Sequence, residues 1–337
     1  KLMEFIAFIV LSFLGLLTII LESNSILKYI YIPSTFIFLI IVRLQAFYFN
    51  GFEIDIITYT TEMQSSLVLE SFYYIREFIF WFTIRLVYWL TESPFFTFII
   101  LDFLWIILLI KSTEKIKSNN LGQGVIVVLM TSFPFLFGYE NIYRQFIATI
   151  VLLYAYSCIK YNHLKSIVLF LISVFTHNLM MFVLPVFVIK KFYKFNIKDR
   201  SVISFLISIS YILLLPFFLN LKSFDTTQVD LSLLYLVLFS SLMIFFMFKF
   251  KQNILKLIDN LPSLFPSCII ILGLSIIGHE MITERISMIL IIFLIYDLYL
   301  YTSKITKKTT RLSLRLALLF LFTLPVFLFE SSLKFLF

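Results

Sequence analysis

The stretch Leu164–Ile189, LKSIVLFLISVFTHNLMMFVLPVFVI, decides how the rest of the chain is read. It is an apolar run of about 26 residues with Thr176-His177-Asn178 near its middle. Lysines flank it on both sides: Lys160 and Lys165 before, then Lys190, Lys191, Lys194, Lys198 and Arg200 after. A single membrane-spanning helix carries its basic flank on one side, because Lys and Arg are retained in the cytoplasm. Two basic flanks predict two short helices of about 13 residues each, folded into a hairpin with His177 at the tip. Unwound backbone and a polar tip at membrane depth are tolerated only where they line a protein cavity, so the tip is a candidate active site.

The composition agrees. Of 337 residues, 61% are hydrophobic and 43 are Phe, well beyond the apolar fraction of a soluble globule. The chain reads as a polytopic, all-α integral membrane protein. Its net charge of +8 sits in short clusters between apolar spans and not along one solvated face, which positive-inside topology explains without nucleic acid. Cys158 and Cys268 both fall in apolar segments and read as packed thiols, neither a disulfide framework nor a zinc site. The first apolar segment, Leu2–Leu21, lacks a small-residue cleavage site and reads as a retained helix.

Further spans are expected at about 29–49, 95–111, 122–138, 143–159, 201–219, 231–249, 264–278, 286–302 and 312–329. With the hairpin these make eleven to twelve passes in one transmembrane domain, residues 1–337. The loops then sort by charge. Lys111-Lys115-Lys117, Lys160-Lys165, Lys190–Arg200, Lys249-Lys251-Lys256 and Lys304-Lys307-Lys308-Arg311 fall on one side, which should be cytoplasmic. Glu53-Asp55-Glu62-Glu70, Glu140, Asp225-Asp230 and Glu280-Glu284 fall on the other. Both termini are then outside. Residues 50–94 form the largest external segment, within which Glu77–Leu90 is too short and too aromatic for a crossing and is expected along the outer interface.

Charges inside or beside apolar spans are the sharpest chemical signal, since each is costly unless paired or hydrated. They are Arg43, Asp55, Arg76, Glu77, Arg85, Asp102, Arg144, His177, Arg285 and Asp297. Topology depletes positive charge from external loops, so arginines at outer helix ends need another reason. An anionic ligand is one, because guanidinium forks hold phosphate oxygens bidentately and helix N-termini add partial positive charge. Pairing with a carboxylate such as Glu140, Glu77 or Glu284 is the other. His177 reads as a general base or hydrogen-bond donor. His163 and His279 offer it no helical metal partner, so no metal is expected. Asp102 and Asp297 are open between a chemical role and a structural one.

In this order the motifs resemble the EpsG/Wzy family of polysaccharide polymerases. Arg43 followed by Asp55-x-x-x-Tyr59 resembles the family's Arg…Asp-x-x-Tyr element, with looser spacing. Arg76-Glu77-Phe78 resembles the acidic start of its external amphipathic helix. Asn141-Ile142-Tyr143-Arg144-Gln145-Phe146-Ile147-Ala148 matches its Arg-Gln-x-Ile-Ala signature, and Phe175-Thr176-His177-Asn178-Leu179-Met180 its Phe-His-x-Ser/Asn signature. Arg285-Ile286-Ser287-Met288 resembles a late Arg-x-Ser-Met element.

The resemblance implies an enzyme of the bacterial inner membrane with its active site facing the periplasm. It would transfer a growing glycan from undecaprenyl diphosphate onto the non-reducing end of another carrier-linked repeat unit, with no cofactor. Its implied partners are the lipid-linked glycans, membrane lipid and a chain-length regulator. His177, Arg144 and Asp55 are then the catalytic candidates, and Arg43, Arg76, Glu77, Arg85, Gln145, Asn178, Arg285 and Tyr59 the substrate-binding ones. Glu53-Ile54-Asp55 also looks like the acidic loop of GT-C-type membrane glycosyltransferases. The rival readings are a flippase for the same lipid-linked glycans and a membrane O-acyltransferase. A flippase usually shows internal duplication, which this chain lacks, and an acyltransferase needs its histidine facing a cytoplasmic acyl donor.

Overall fold

A computed structural model describes residues 2–48, 54–64, 77–114, 121–191, 196–219, 232–277 and 280–329. All regular structure among them is helical. The helices are α1 (Leu2–Ile20), α2 (Asn24–Tyr48, with a π-turn at Leu27–Tyr31), α3 (Ile54–Gln64), α4 (Phe78–Thr91), α5 (Pro94–Glu114), α6 (Val125–Met130), α7 (Phe133–Glu140), α8 (Tyr143–Cys158) and α9 (His163–Thr176). After a 3-10 turn at Asn178–Val183 come α10 (Leu184–Lys191), α11 (Ile197–Leu219), α12 (Ser232–Lys249), α13 (Ile254–Asn260), α14 (Leu264–Ile277), α15 (Glu280–Ser303) and α16 (Lys308–Leu328). Two compact units emerge, one of Lys1–Asn178 with Thr302–Phe337 and the other of Leu179–Tyr301.

By length and composition α1, α2, α5, α12, α15 and α16 can each cross a membrane. The pairs Gly122–Met130 with α7, bent by 61°, and α13 with α14, bent by 102°, bring the number to eight if each pair is one span. The larger expected number of passes included 143–159 and both halves of 164–189. At ~1.5 Å rise per residue, helices of that length reach about 24 Å or less, short of a ~30 Å hydrocarbon core. The 164–189 run is broken where the charge pattern required: α9 stops at Thr176, and His177 takes an extended conformation, φ −157° and ψ 120°.

In the first unit α8 is the central element. Nearly every residue of it is buried, and α5, α7 and α9 pack around it. Its polar side chains are made compatible with burial by bonding their own helix, as in Thr149 Oγ1 to the Gln145 carbonyl at 2.8 Å and Ser157 Oγ to the Tyr154 carbonyl at 2.8 Å. Phe146 anchors an aromatic cluster with Trp105 at 4.9 Å, Phe135 at 5.0 Å and Tyr139 at 6.2 Å between ring centroids. Gly138 on α7 lets the Phe146 ring seat there, since a Cβ at 138 would collide with it. At another corner of the unit Glu22, in left-handed backbone (φ 47°), receives Arg311 at 2.8 and 2.9 Å and Arg315 at 2.9 Å, tying the α1–α2 turn to α16.

In the second unit α15 is largely buried, α11 packs on α10, α13 and α14, and α12 packs on α14. Asp297, open between two roles from sequence, is buried and accepts the Ser263 backbone N–H at 3.0 Å, capping the chain where it turns from α13 into α14; Lys190 lies 3.8 Å from its other oxygen. That is a structural occupation. Capping of a bent re-entry is how an intramembrane carboxylate meets its desolvation cost.

Gly138→Ala should overpack the α7–α8 contact and lower stability by about 1–3 kcal/mol. Thermal unfolding in detergent micelles should show a reduced Tm for Gly138→Ala and partial recovery when Phe146→Leu is added.

Candidate functional site

The register of two helices assembles the site. Ser173 Oγ on α9 donates to the Ala148 carbonyl on α8 at 2.8 Å, and Lys165 Nζ donates to Tyr154 Oη at 2.6 Å. The two pairs run in opposite directions along the chain, so α8 and α9 are antiparallel. One turn beyond the Ala148–Ser173 pair, the same register brings the first turn of α8 level with the last residue of α9. Arg144 and His177 therefore lie at one end of the helix pair, and Lys165 at the other.

Glu77 joins them there. It is the N-cap residue of α4, packed against α9, and it is 1% exposed. Its Oε1 lies 2.8 Å from His177 Nδ1 and accepts the Asn178 backbone N–H at 3.3 Å. Its Oε2 forms an ion pair with Arg144 Nη1 at 3.0 Å. The break in the 164–189 run thereby gains a partner: the Asn178 amide, released from helical bonding by the extended His177, is satisfied by a carboxylate from another helix. Burial by itself would push the Glu77 carboxyl up. The hydrogen bond and charge of His177, the Arg144 guanidinium and the Asn178 amide outweigh it and hold it down at about 2.

Aromatic rings back the arrangement. The Arg144 guanidinium lies 5.4 Å from the centroid of Trp81, one turn along α4 from Glu77. Tyr59 on α3 packs edge-on against Trp81 at 5.7 Å and Phe80 at 5.1 Å. On the other side of α8, Asp102 on α5 is buried and accepts Arg43 Nε at 2.7 Å and Nη2 at 3.1 Å, Trp105 Nε1 at 2.9 Å and Tyr143 Oη at 2.8 Å. Arg43 Nη2 also donates to the Tyr139 carbonyl at 3.0 Å, and the guanidinium lies over the rings of Tyr143 at 4.9 Å and Phe98 at 5.4 Å.

Of the sequence candidates, His177, Arg144 and Glu77 are brought into direct contact, with the backbone of Asn178 and, through Trp81, Tyr59. Gln145 is buried beside Arg144, and Arg85 lies on α4 one turn after Trp81. Asp55 lies on α3 one turn before Tyr59. Arg43 is fully buried, with Asp102 as its ion-pair partner. Arg285 is on α15, in the second unit. Arg76 lies outside the described residues. The reading from sequence missed Tyr143, Trp81 and Ser173. Tyr143 was signalled only by standing next to Arg144, and Trp81 by following Glu77 at helical spacing. Among the described residues no group of three or more His, Cys, Asp or Glu comes together to hold a metal ion.

The sequence profile of the EpsG family, the family of Wzy-type exopolysaccharide polymerases, matches residues 28–335 of this chain. No curated protein and no solved structure matches it.

Because the folded state holds Glu77 ionised far below the ordinary carboxylate range, its contribution to stability is present above about pH 4.5 and is lost as pH falls toward about 2. Glu77→Gln should flatten that part of the acid limb. Melting temperatures measured across this window in detergent should fall more steeply for the parent protein than for the variant.

Proposed function

The chain belongs to the EpsG family, and from that premise we propose that it extends a polysaccharide by moving a growing glycan from a lipid diphosphate onto an acceptor sugar hydroxyl at the outer face of the bacterial inner membrane. The observation that carries this reading is the convergence of His177, Arg144 and Glu77 at one end of the α8–α9 pair, away from the basic Lys160–Lys165 turn. Positive-inside topology turns that basic end toward the cytoplasm, which supports a reading in which the His177 end is directed toward the outer face.

The transfer breaks the bond between the anomeric carbon and the diphosphate oxygen, and forms one between that carbon and the acceptor oxygen. The acceptor loses a proton and the diphosphate leaves with the electron pair. Nδ1 of His177, held by Glu77, carries the ring proton, which makes Nε2 the nitrogen that takes the acceptor proton. The adjacent buried carboxylate stabilises the imidazolium as it forms, the same division of labour as between the carboxylate and the histidine of a Ser-His-Asp triad. Arg144 faces the leaving group. A guanidinium fixed by Glu77 and Trp81 offers its remaining N–H groups to phosphate oxygens as negative charge develops, in a site with little water to screen it. Arg85 on α4 adds positive charge on the same helix as Trp81, Arg76 is kept as a binding candidate from its place in the sequence, Asp55 is the alternative proton acceptor, and Tyr59, Gln145 and Asn178 supply polar groups for the sugar. Arg285 is kept as a substrate-binding candidate on the strength of its sequence motif alone. The carrier is undecaprenyl diphosphate, the product length is set with a separate regulator, and no metal takes part.

Purified protein incubated with a synthetic undecaprenyl-diphosphate repeat unit should give a ladder of polymer. His177→Ala should lower elongation by roughly 10²–10⁴-fold and Arg144→Ala by roughly 10²–10³-fold, each leaving single repeat units on the lipid. Long polymer at parental rates from either variant would remove that residue from the catalytic set.

A further inference from the structure

Arg43 was assigned to the ligand by its place in the sequence, and its surroundings assign it elsewhere. Its guanidinium is committed to both oxygens of Asp102 and to the Tyr139 carbonyl, and two rings cover it. Asp102 in turn accepts four hydrogen bonds, one at Oδ2 from Arg43 and three at Oδ1 from Arg43, Trp105 and Tyr143. A buried ion pair of this kind is weak evidence for stability, since well-packed apolar residues often do as well, so its use lies in the geometry it imposes. What it imposes is the place of the Tyr143 hydroxyl. Tyr143 is the first residue of α8, and Arg144 is the second. The first turn of a helix lacks intrahelical partners for its N–H groups and frays unless something outside holds it. Here the hold comes from α5 and α2 on one side, and the turn presents Arg144 to Glu77 on the other.

We propose that Arg43, Asp102 and Tyr143 are positioning residues: the buried Arg43–Asp102 pair, acting through the Tyr143 hydroxyl, fixes the first turn of α8 so that Arg144 shares Glu77 with His177. The inference rests on reading Arg144, Glu77 and His177 as the working site, and it gives Arg43 no contact with substrate. The two oxygens of Glu77 are divided between Arg144 and His177, so any displacement of Arg144 changes the charge that the His177 ring feels. The charged groups on the elements packed against α9 are Glu77 and Arg85 on α4 and Arg144 on α8.

The chain has three histidines, which makes the His177 ring directly observable by NMR on histidine-labelled protein, with His177→Gln as the assignment control. At fixed pH and without substrate, Tyr143→Phe keeps the ring packed on Phe98 and removes only the hydroxyl. It should move the His177 ring signal in the same direction as Arg144→Ala does. Arg43→Lys, which keeps the charge but loses the fork, should do the same. On an Arg144→Ala background Tyr143→Phe should add no further shift, because its effect passes through Arg144. A His177 signal unmoved by Tyr143→Phe, or a full further shift in the double variant, would overturn the proposal. In the elongation assay Tyr143→Phe should lower the rate at least 10-fold while the Tm stays within a few degrees of the parent, about the cost of one net hydrogen bond. The spectroscopic cycle needs no substrate, so absence of polymer from the parent protein would count against the polymerase reading alone.

Discussion

Glu77 is a carboxylate removed from water, and a charge so placed must be met by cations and N–H donors or it will not stay ionised. It is met by three groups from two other helices: the ring of His177, the amide of Asn178 and the guanidinium of Arg144. Much else in the first unit serves that meeting. The extended residue at 177 frees the amide, the α8–α9 register brings Arg144 level with the break, and α4 starts where its first residue can reach both. A carboxylate at this point also orders the chemistry. In the proposed function it sets the histidine tautomer and limits the mobility of Arg144.

The second buried carboxylate, Asp102, has the same physical problem and a different answer. Four hydrogen bonds from Arg43, Trp105 and Tyr143 meet it, and aromatic rings cover its arginine partner. The two acids are linked through consecutive residues, Tyr143 bonding one and Arg144 the other. In the proposed arrangement one belongs to the site while the other holds the helix end behind it. The same pattern of a carboxylate completing backbone or guanidinium groups recurs at Glu22 with Arg311 and Arg315, and at Asp297 with Ser263. Glu77, Asp102, Glu22 and Asp297 thus each have a cation or a backbone N–H close by, as a low dielectric requires.

Legibility from sequence followed the strength of the underlying force. Apolar runs marked α1, α2, α5, α12, α15 and α16, because no other environment accepts that many Leu, Ile and Phe in succession, although α2 and α15 begin about a turn and a half earlier than expected. Opposing lysine flanks required a break in 164–189, and the helix ends at Thr176. The site was partly visible as well. Arg144 and His177 are 33 residues apart, about the length of two helices and a turn, so an antiparallel pair returns one to the other. The apolar runs at 122–138 and 264–278 were legible too, but not the bends of 61° and 102° in those pairs, and short helices such as α3 gave no such signal, because bends and short helix ends are set by packing and not by hydropathy.

Sequence alone therefore determined that this is an α-helical membrane protein of a polymerase family, with one lone intramembrane histidine and a surplus of arginines beside apolar segments, since hydropathy and charge retention act on composition and order. Which arginine meets which acid was decided only by tertiary structure. Arg43 and Arg144 look alike in the sequence, each a single guanidinium beside an apolar span. One is sealed against Asp102 and the other stands on Glu77 beside His177, and the difference arises because desolvated charges choose partners by distance, which helix packing sets.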